Sequence, residues 1–495
     1  MGTPSETVNE PSSPLHIAVV GGGITGLTAA YRSVERAQES GRAVRVSLLE
    51  AGPRLGGVVS TRSRDGFVVD DGPDSFLTDK PWARFLAERL GLGPRLIATD
   101  PAYRASFVVR GRRLWAAPEG FQVLAPGRLR PVWRSPLFSP LGKLRITLEA
   151  CIPPRHASGD ESVASFVRRR FGREALERIA QPMVAGIYGL DPEDLSLETT
   201  FPRFLLLEKE HGSILRALRS ARGSRGYAIE SSPAEPDREG RFAHKSGGPR
   251  LGLFESFDGG MQVLVDALAA RLPAGAARTH LRVEELRAGP GGGRPRWRLL
   301  TSAGEQAADA VVLALPAYEA GRLLAAVDAT LAADLSAIAY GSSAVVSLAY
   351  PAGAIAHPLG GAGLVIPARE ARRVLACIFS HRKFAGRAPG GQGLLRAFLP
   401  GEAAESPDAE LAAGAHAELR DLLGISGEPL FSRVARYPRA TPHYRVGHRD
   451  LVGRIETRAA ALPGLFLAGN GYRGAGIPDC VRSGEAAAEA ALASL

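Results

Sequence analysis

The chain has 495 residues, too many for one ordinary core, so we expect about two to four domains. Hydrophobic residues make up 45% of the chain and charged residues 23%, a balance that excludes global disorder. The net charge of +10 favours anionic ligands or acidic surfaces, although a generally basic surface without such a partner has the same charge.

The N-terminus and the cysteines indicate the cellular compartment of the protein and argue against several structural classes. The first 14 residues are polar and lack the apolar segment of a secretory signal, and no stretch approaches the ~20 apolar residues of a membrane-spanning helix. Cys151, Cys377 and Cys480 are far apart, which argues against a disulfide scaffold and the usual zinc modules. We therefore predict a cytoplasmic protein without a metal site, and leave open a peripheral contact with the inner face of a membrane.

The first predicted elements form a strand–helix–strand unit. An apolar run at Leu15–Val20 has the length of a buried parallel strand, and glycines and an alanine-rich helical pattern follow it. A second strand is predicted over residues 44–50. Beyond it, residues 78–205 are predicted to be mostly helical, with the clearest helical spacing over 161–183.

Residues 206–250 include a stretch rich in Gly, Ser, Pro and charge, and we predict a mobile basic loop there. Strand-like segments resume after it, and a helix ends the chain. The strands are predicted at residues 251–257, 282–286, 297–300, 310–315, 344–350, 364–366, 374–379, 394–399 and 464–468, and the helix at 481–493.

The glycines after the first strand fit G-x-G-x-x-G, the turn that binds a dinucleotide. Gly21 allows a tight turn, Gly23 lets the backbone approach a pyrophosphate, and Gly26 lets helix and strand pack closely. The helix that follows directs free N–H groups and its positive dipole end at the phosphates. The predicted cofactor-binding residues of this turn are Gly21, Gly22, Gly23, Ile24, Thr25 and Gly26.

The second predicted strand ends in an acidic residue, Glu50, 24 residues after Gly26. At that spacing a carboxylate accepts both ribose hydroxyls of the adenosine half of a dinucleotide. The order of strand, glycines, helix, strand and acid predicts dinucleotide binding. A Rossmann unit that binds no nucleotide is the alternative.

Four later motifs resemble those of the glutathione-reductase-like flavoproteins of the amine oxidase group. They are EAGPRLGG at 50–57, GPDSF at 72–76, DAVVLAL at 309–315 and GAGIPD at 474–479. The resemblance implies FAD as the cofactor, with Arg54 beside its pyrophosphate. It adds these positions to the cofactor-binding set: Ala51, Arg54, Gly56, Gly57, Val58, Gly72, Pro73, Asp74, Ser75, Val283, Tyr437, Gly476, Ile477 and Pro478.

Within that group, several stretches are similar to the protoporphyrinogen/coproporphyrinogen III oxidase family. They are QPMVAGIYGLDPEDLS at 181–196, FDGGM at 257–261, YP at 437–438 with PHYRVGH at 442–448, and GIPDC at 476–480. The chain departs from the family at Tyr437, where Trp is frequent, and at Val58, where Lys or Arg is frequent. Neither departure removes the aromatic face or the glycine turns.

The family resemblance implies that a non-covalently bound FAD oxidises a porphyrinogen to a porphyrin in haem synthesis and passes the electrons to dioxygen. Because the flavin performs the redox chemistry, we name no catalytic residue. His211, His443 and His448 are more typical of structural hydrogen bonding. Members that use protoporphyrinogen often carry Arg where this chain has Ser106, which favours coproporphyrinogen III; protoporphyrinogen IX is the alternative substrate.

The predicted fold is α/β, with a Rossmann FAD domain assembled from 15–77, 251–318 and 456–495. Residues 78–205 form a helical insertion and 319–455 a mixed-sheet substrate domain. A homodimer is left open, and so is another oxidase of this fold acting on amines or carotenoids. A basic nucleic-acid-binding protein is disfavoured. Such a protein needs clustered basic residues with stacking aromatics, whereas the arginines of this chain are dispersed and its aromatic residues are only 6%.

Overall fold

In the computed structural model, residues 14–155, 157, 159–220, 253–290 and 293–495 are described. The strands are β1 Leu15–Val20, β2 Val44–Leu49, β3 Thr61–Arg64, β4 Phe67–Asp70, β5 Phe76–Leu77, β6 Leu96–Ala98, β7 Ser106–Arg110, β8 Arg113–Ala116, β9 Phe121–Gln122, β10 Ala125–Pro126, β11 Phe254–Phe257, β12 Ala277–Arg278, β13 Val283–Ala288, β14 Trp297–Thr301, β15 Gly304–Ala308, β16 Ala310–Leu313, β17 Tyr340–Tyr350, β18 Gly363–Val365, β19 Ala376–Phe379, β20 Gly393–Pro400, β21 Phe431–Pro442 and β22 Leu465–Leu467.

The helices occur throughout the chain, and eight of the described ones, α3 to α10, follow one another between β10 and β11. They are α1 Ile24–Glu39, α2 Trp82–Arg89, α3 Leu129–Arg134, α4 Pro140–Thr147, α5 Val163–Phe171, α6 Arg173–Ala175, α7 Gln181–Tyr188, α8 Leu197–Thr200, α9 Pro202–His211, α10 Ile214–Ser220, α11 Gln262–Ala270, α12 Ala317–Leu324, α13 Ala329–Ser336, α14 Ser380–Lys383, α15 Asp408–Leu423, α16 His448–Ala460 and α17 Ile477–Ala493.

A five-stranded parallel sheet, in the order β12-β2-β1-β16-β22, joins segments from both ends of the chain. Its central strand β1 is almost wholly apolar, as expected for a parallel strand covered on both faces. Helices α1 and α17 share the hydrophobic cluster on one face, and α12, α13 and α16 share the cluster on the other. The carboxyl ends of the strands therefore lead into the starts of α1 and α17.

A second sheet has seven strands in the order β21-β17-β20-β19-β18-β7-β8. All of its pairings are antiparallel except the one between β18 and β7. Helix α15 covers one face through Leu411, Leu419 and Leu422, which pack with alternate residues of β17 and β20. The opposite face includes Val345, directly beside Phe398 of β20. These findings agree with the predicted α/β fold containing a mixed sheet.

The helices from α3 to α10 pack around a separate apolar cluster. At its edge lies a buried ion pair between Arg170 and Glu149, both fully inaccessible to solvent. The Glu149 carboxylate also accepts hydrogen bonds from the N–H groups of Ile214 and Leu215 and from the Ser213 hydroxyl. One buried carboxylate thus joins α5 to the start of α10.

Two of the predicted elements differ from the structure. The helix predicted over 161–183 is broken at Gly172, whose φ is +91°, so that α5 ends there and α6 begins after it. Of the mobile loop predicted over 206–250, the described residues 206–220 lie mostly in α9 and α10, so the loop does not begin at 206; the rest lies outside the described residues. The division of the chain into domain segments stays a prediction.

Candidate functional site

The turn between β1 and α1 can be made only by glycine at two of its positions. Gly21 has a φ of +105°, and a Cβ there would overlap the carbonyl oxygen of Ala314. A Cβ on Gly26 would overlap the Gly21 carbonyl oxygen, because helix and strand approach closely there. At Gly23, by contrast, a Cβ would meet nothing within 4 Å. The space next to Gly23 is therefore open for a ligand.

Helix α1 begins beside this open space without a cap. No side chain accepts a hydrogen bond from its first turn, and the first turn contains no acidic residue. The N–H groups of Ile24 and Thr25 lie in that turn, where the helix dipole favours negative charge. The local sequence GGGITG thus produces an uncapped helix start whose N–H groups suit an anion.

Glu50 lies directly after β2 and holds two glycine turns in place. Its two carboxylate oxygens accept the N–H groups of Gly22 and Gly52, each at 2.6 Å. Each oxygen keeps a second lone pair for a ribose hydroxyl. A cavity of about 250 Å³ lies beside it, and its lining includes the predicted cofactor-binding residues Gly21, Glu50, Ala51 and Val283.

The following loop is attached directly to the first glycine turn. The Gly56 N–H donates to the Gly22 carbonyl at 2.8 Å, and a Cβ on Gly57 would lie 3.1 Å from the Gly23 Cα. The Arg54 guanidinium donates to the carbonyls of Gly57 and Val59 and forms no ion pair within the described part of the chain. Val58 is 42% exposed. Arg54 is therefore a cation without a protein counter-charge beside the glycines.

The segment Gly72-Pro73-Asp74-Ser75 passes over this loop and is in contact with the distant strand β21. A Cβ on Gly72 would overlap the Val58 carbonyl oxygen and would lie 3.3 Å from the Tyr437 hydroxyl. Burial raises the pKa of Tyr437 to about 12, so its hydroxyl stays neutral at physiological pH. The structure thus brings together Tyr437 and Gly72, 365 positions apart in the sequence.

The C-terminal turn converges on the same place. Gly476 precedes α17 without a side-chain cap, and Ile477 and Pro478 form its first turn. The Cys480 thiol contacts the side chain of Thr25, and burial raises its pKa to about 12. The starts of α1 and α17 are therefore neighbours, as a dinucleotide held by both ends of the chain requires.

A charged network behind the Gly72 segment was not predicted from the sequence. Asp74 accepts hydrogen bonds from Lys383 at 2.9 and 3.1 Å and forms an ion pair with Arg396 at 3.3 Å. Asp71 is bound by Arg433, with one bond of 2.8 Å. The only sequence signal was a charge inside an apolar run, such as Arg396 in the predicted strand 394–399.

The histidines considered from the sequence have no catalytic arrangement. His448 is buried, and its Nε2 lies 3.0 Å from the Tyr472 carbonyl oxygen. His211 is partly exposed beside Glu210. His443 keeps an inaccessible Nε2 without a hydrogen-bond partner, and burial lowers its pKa. Within the described residues no group of three or more His, Cys, Asp or Glu could hold a metal ion.

These observations fit an elongated dinucleotide. The starts of α1 and α17 have no side-chain cap, open space adjoins Gly23, and Arg54 forms no ion pair within the described residues. In addition, the Nε of Arg396 and the hydroxyl of Tyr472 are inaccessible polar atoms without hydrogen-bond partners. The predicted cofactor-binding residues from both ends of the chain thus surround one region.

Residues 24–492 match the family model of the flavin containing amine oxidoreductases. The chain belongs to this family. Membership confirms the predicted flavin-dependent oxidoreductase, its FAD cofactor and its fold class, whereas the individual site residues stay predictions.

Individual proteins of the family are similar over nearly the whole chain. The coproporphyrinogen III oxidase of Propionibacterium freudenreichii subsp. freudenreichii is 34% identical, over 99% of this chain and 95% of that protein. The coproporphyrinogen III oxidase of Bacillus subtilis (strain 168) is 31% identical, over 97% and 98%. The crystal structure of a candidate protoporphyrinogen oxidase from Exiguobacterium sp. 255-15 superposes with a TM-score of 0.82 at 28% identity, over 97% of this chain and 98% of that one.

Proposed function

We propose that this flavoenzyme oxidises a porphyrinogen to a porphyrin, with coproporphyrinogen III as the preferred substrate and dioxygen as the electron acceptor. One observation carries the proposal: the likeness to coproporphyrinogen III oxidases extends over 97–99% of the chain, including both glycine turns and the seven-stranded sheet. When bound, the flavin supplies the redox chemistry, and the protein binds the substrate, orients it and encloses it.

Three large apolar side chains that are unusually exposed suit a flat apolar substrate. Val58, Ile187 and Val446 are large apolar side chains with 42%, 59% and 48% exposure. Ile187 is followed by Tyr188. Burial raises the pKa of Tyr188, and the negative charge of nearby Asp479, in the first turn of α17, raises it further. We infer that these side chains line a cavity for a tetrapyrrole.

The preference for the four-carboxylate substrate rests on Ser106 and on nearby cations. Ser106 begins β7 and leaves room where many protoporphyrinogen-using relatives carry Arg. Of the neighbouring arginines, Arg112 forms an ion pair with Asp421 and is thereby committed elsewhere. Arg104 and Arg113 form no ion pair within the described residues, and they remain candidates for propionate contacts.

The experiment compares the two porphyrinogens directly. Purified holoenzyme is mixed anaerobically with coproporphyrinogen III or protoporphyrinogen IX, air is admitted, and porphyrin fluorescence and oxygen consumption are followed. We expect kcat/KM to favour coproporphyrinogen III by about tenfold, which corresponds to about 1.4 kcal/mol of transition-state binding. A FAD-loaded protein that forms porphyrin no faster than air alone would contradict the proposed function, and the reverse preference would contradict the substrate choice.

We also propose that the flavin is bound without a covalent link. Cys480, the cysteine in the α17 turn, is buried and protonated, as its raised pKa indicates, so it is a poor nucleophile. After precipitation with acid, we expect the yellow colour to remain in the supernatant. Colour that stays with the precipitate would show a covalent bond.

A peripheral membrane contact is proposed for the surface formed by α3 and α4. Trp133, Leu141, Leu144 and Leu148 are exposed there at 45–79%, and residues 120–148 contain no Asp or Glu. Arg130, Arg134 and Lys143 form no ion pairs within the described residues. Exposed apolar side chains among unpaired cations favour an anionic lipid surface. No helix within the described residues has the length and apolar character to cross a membrane.

Vesicle sedimentation tests this contact. We expect the protein to sediment with phosphatidylglycerol vesicles but not with phosphatidylcholine vesicles. The double variant L141E/L144E should lose this binding, whereas L430E, at an equally exposed leucine outside the α3–α4 surface, should keep it. Equal binding by the two variants would contradict the assignment.

A further inference from the structure

The network behind Gly72 joins three buried carboxylates to basic side chains. The carboxylates are Asp70, Asp71 and Asp74, and they pair with Lys383, Arg387, Arg396 and Arg433. All of these side chains except Arg433 are at most 10% exposed. Three buried carboxylates thus face three buried cations, and the more exposed cations Arg433 and Arg62 both lie beside Asp71 at the edge of the network.

Arg396 is the cation of the network with unused hydrogen-bonding capacity. Its Nη2 donates to the carbonyl oxygens of Gly72 and Asp71, and its Nη1 lies 3.3 Å from an Asp74 oxygen. Its Nε, fully inaccessible to solvent, has no hydrogen-bond partner. Arg387, by comparison, donates to the Ser256 hydroxyl and the Asp258 carbonyl oxygen as well as pairing with Asp70.

Arg396 reaches the cofactor region because of its register in the sheet. It lies on β20 opposite Ser347 of β17, which in turn lies opposite Arg433 of β21. Residues directly opposite one another share a face, so both arginines project toward the same segment. The Arg396 charge is also close enough to Tyr437 to oppose the rise in its pKa. Arg396 is therefore close to both Gly72 and Tyr437, two of the predicted cofactor-binding residues.

We infer that Arg396, supported by Lys383 through their shared Asp74, positions the Gly72–Ser75 segment and electrostatically stabilises the flavin ring system when it carries the negative charge of reduction. This inference rests on the proposed position of FAD. A fixed cation near a flavin ring favours its reduced form, so it raises the midpoint potential. Arg396 acts as a positioning residue, and Asp74 keeps Lys383 and Arg396 together at low dielectric.

The test measures the midpoint potential of the bound flavin by equilibration with a reference dye. Arg396→Gln removes the charge at similar size, and Arg396→Lys keeps it. We expect R396Q to lower the ratio of reduced to oxidised flavin at a fixed dye potential by about tenfold or more, since one charge is lost in a poorly screened site. R396K should retain most of that ratio, and kcat should fall in R396Q with KM little changed.

Arg433→Gln is the matched control, because Arg433 also holds this segment, through Asp71, but is 34% exposed. Its potential should change far less than that of R396Q. Equal shifts in R396Q and R433Q, or an unchanged potential in FAD-loaded R396Q, would overturn the inference. If R396Q does not retain FAD, the potential is measured in Lys383→Met. The inference requires a lower midpoint potential in that variant, and a wild-type value would overturn the inference. Failure of the wild-type chain to bind FAD would contradict the proposed function instead.

Discussion

At the scale of single residues, the glycines of the first turn separate into two kinds. Gly21 and Gly26 are required by the protein itself, because a Cβ at either would overlap backbone. Gly23 is different, since nothing in the protein occupies the space beside it and its φ of −69° suits any residue. Gly23 is thus required only by what binds there.

This difference gives a prediction for Gly23→Ala. We expect its apoprotein to fold with nearly unchanged stability, while FAD affinity falls by about tenfold or more, because a methyl group occupies the pyrophosphate approach. Gly453→Ala is the control: Gly453 also has open space around it and lies within α16, so stability should rise slightly and FAD binding should not change. The measurements are thermal unfolding of the apoproteins and calorimetric titration with FAD. Normal FAD affinity in G23A would argue against the site.

At the scale of elements, the helical region depends on one buried carboxylate. Glu149 pairs with Arg170 of α5 and caps the start of α10. Its carboxylate therefore supplies the hydrogen bonds that the Arg170 guanidinium and the N–H groups of α10 would otherwise make with water.

The break between α5 and α6 is a second feature at the scale of elements. Its cause is Gly172, whose left-handed conformation lets the chain turn where Arg145 packs against it.

We predict that Glu149→Gln lowers the free energy of unfolding of the helical region by about 3 kcal/mol, because the buried Arg170 then keeps only the longer of its two described ion pairs, the one with Glu208 at 3.4 Å. Glu177→Gln, which removes an exposed pair with Arg173, should change it by less than about 1 kcal/mol. Urea unfolding followed by Trp133 fluorescence measures both variants. Similar midpoints for the two would show that the buried pair contributes little.

At the scale of the whole molecule, Asp74 connects the segment between β4 and β5 to the seven-stranded region. It belongs to the predicted cofactor-binding segment 72–75, whereas its partner Lys383 lies in α14 and its partner Arg396 lies on β20 of the seven-stranded sheet. The pKa of Asp74 is lowered: its burial alone would raise it, but the nearby charges of Lys383 and Arg396 outweigh that effect. A lowered pKa in the folded state stabilises the protein above the ordinary aspartate pKa, and this stabilisation is lost as the pH falls further.

We therefore predict that the wild-type chain loses stability as the pH falls below about 4, in part because Asp74 takes up a proton in the unfolded chain at a higher pH than in the folded protein. Asp74→Asn should be less stable at pH 7 and should show a shallower decline over the same range. Melting temperatures at matched pH values measure both. Parallel curves for the two proteins would show that Asp74 does not contribute to the acid sensitivity.

The sequence by itself determined the strand–glycine–helix–strand unit, the acid at position 50, most strand positions and the family. These depend on local spacing: glycine is required where a Cβ has no room, and apolar runs form buried strands. It did not determine the hairpin of β3 and β4, the long strand β21 or helices α15 and α16, whose patterns are too weakly periodic to stand out.

Only the tertiary structure decided that Tyr437 meets Gly72, that Val283 shares a cavity with Glu50, and that Lys383 and Arg396 bind Asp74. The residues of each set are separated by more than 200 positions, so no local pattern relates them. Their contact follows from strand register and from the packing of α1 against α17. The physical reason is that the energy of a buried charged group depends on the groups that lie near it in space. A local sequence pattern relates only residues that are neighbours along the chain.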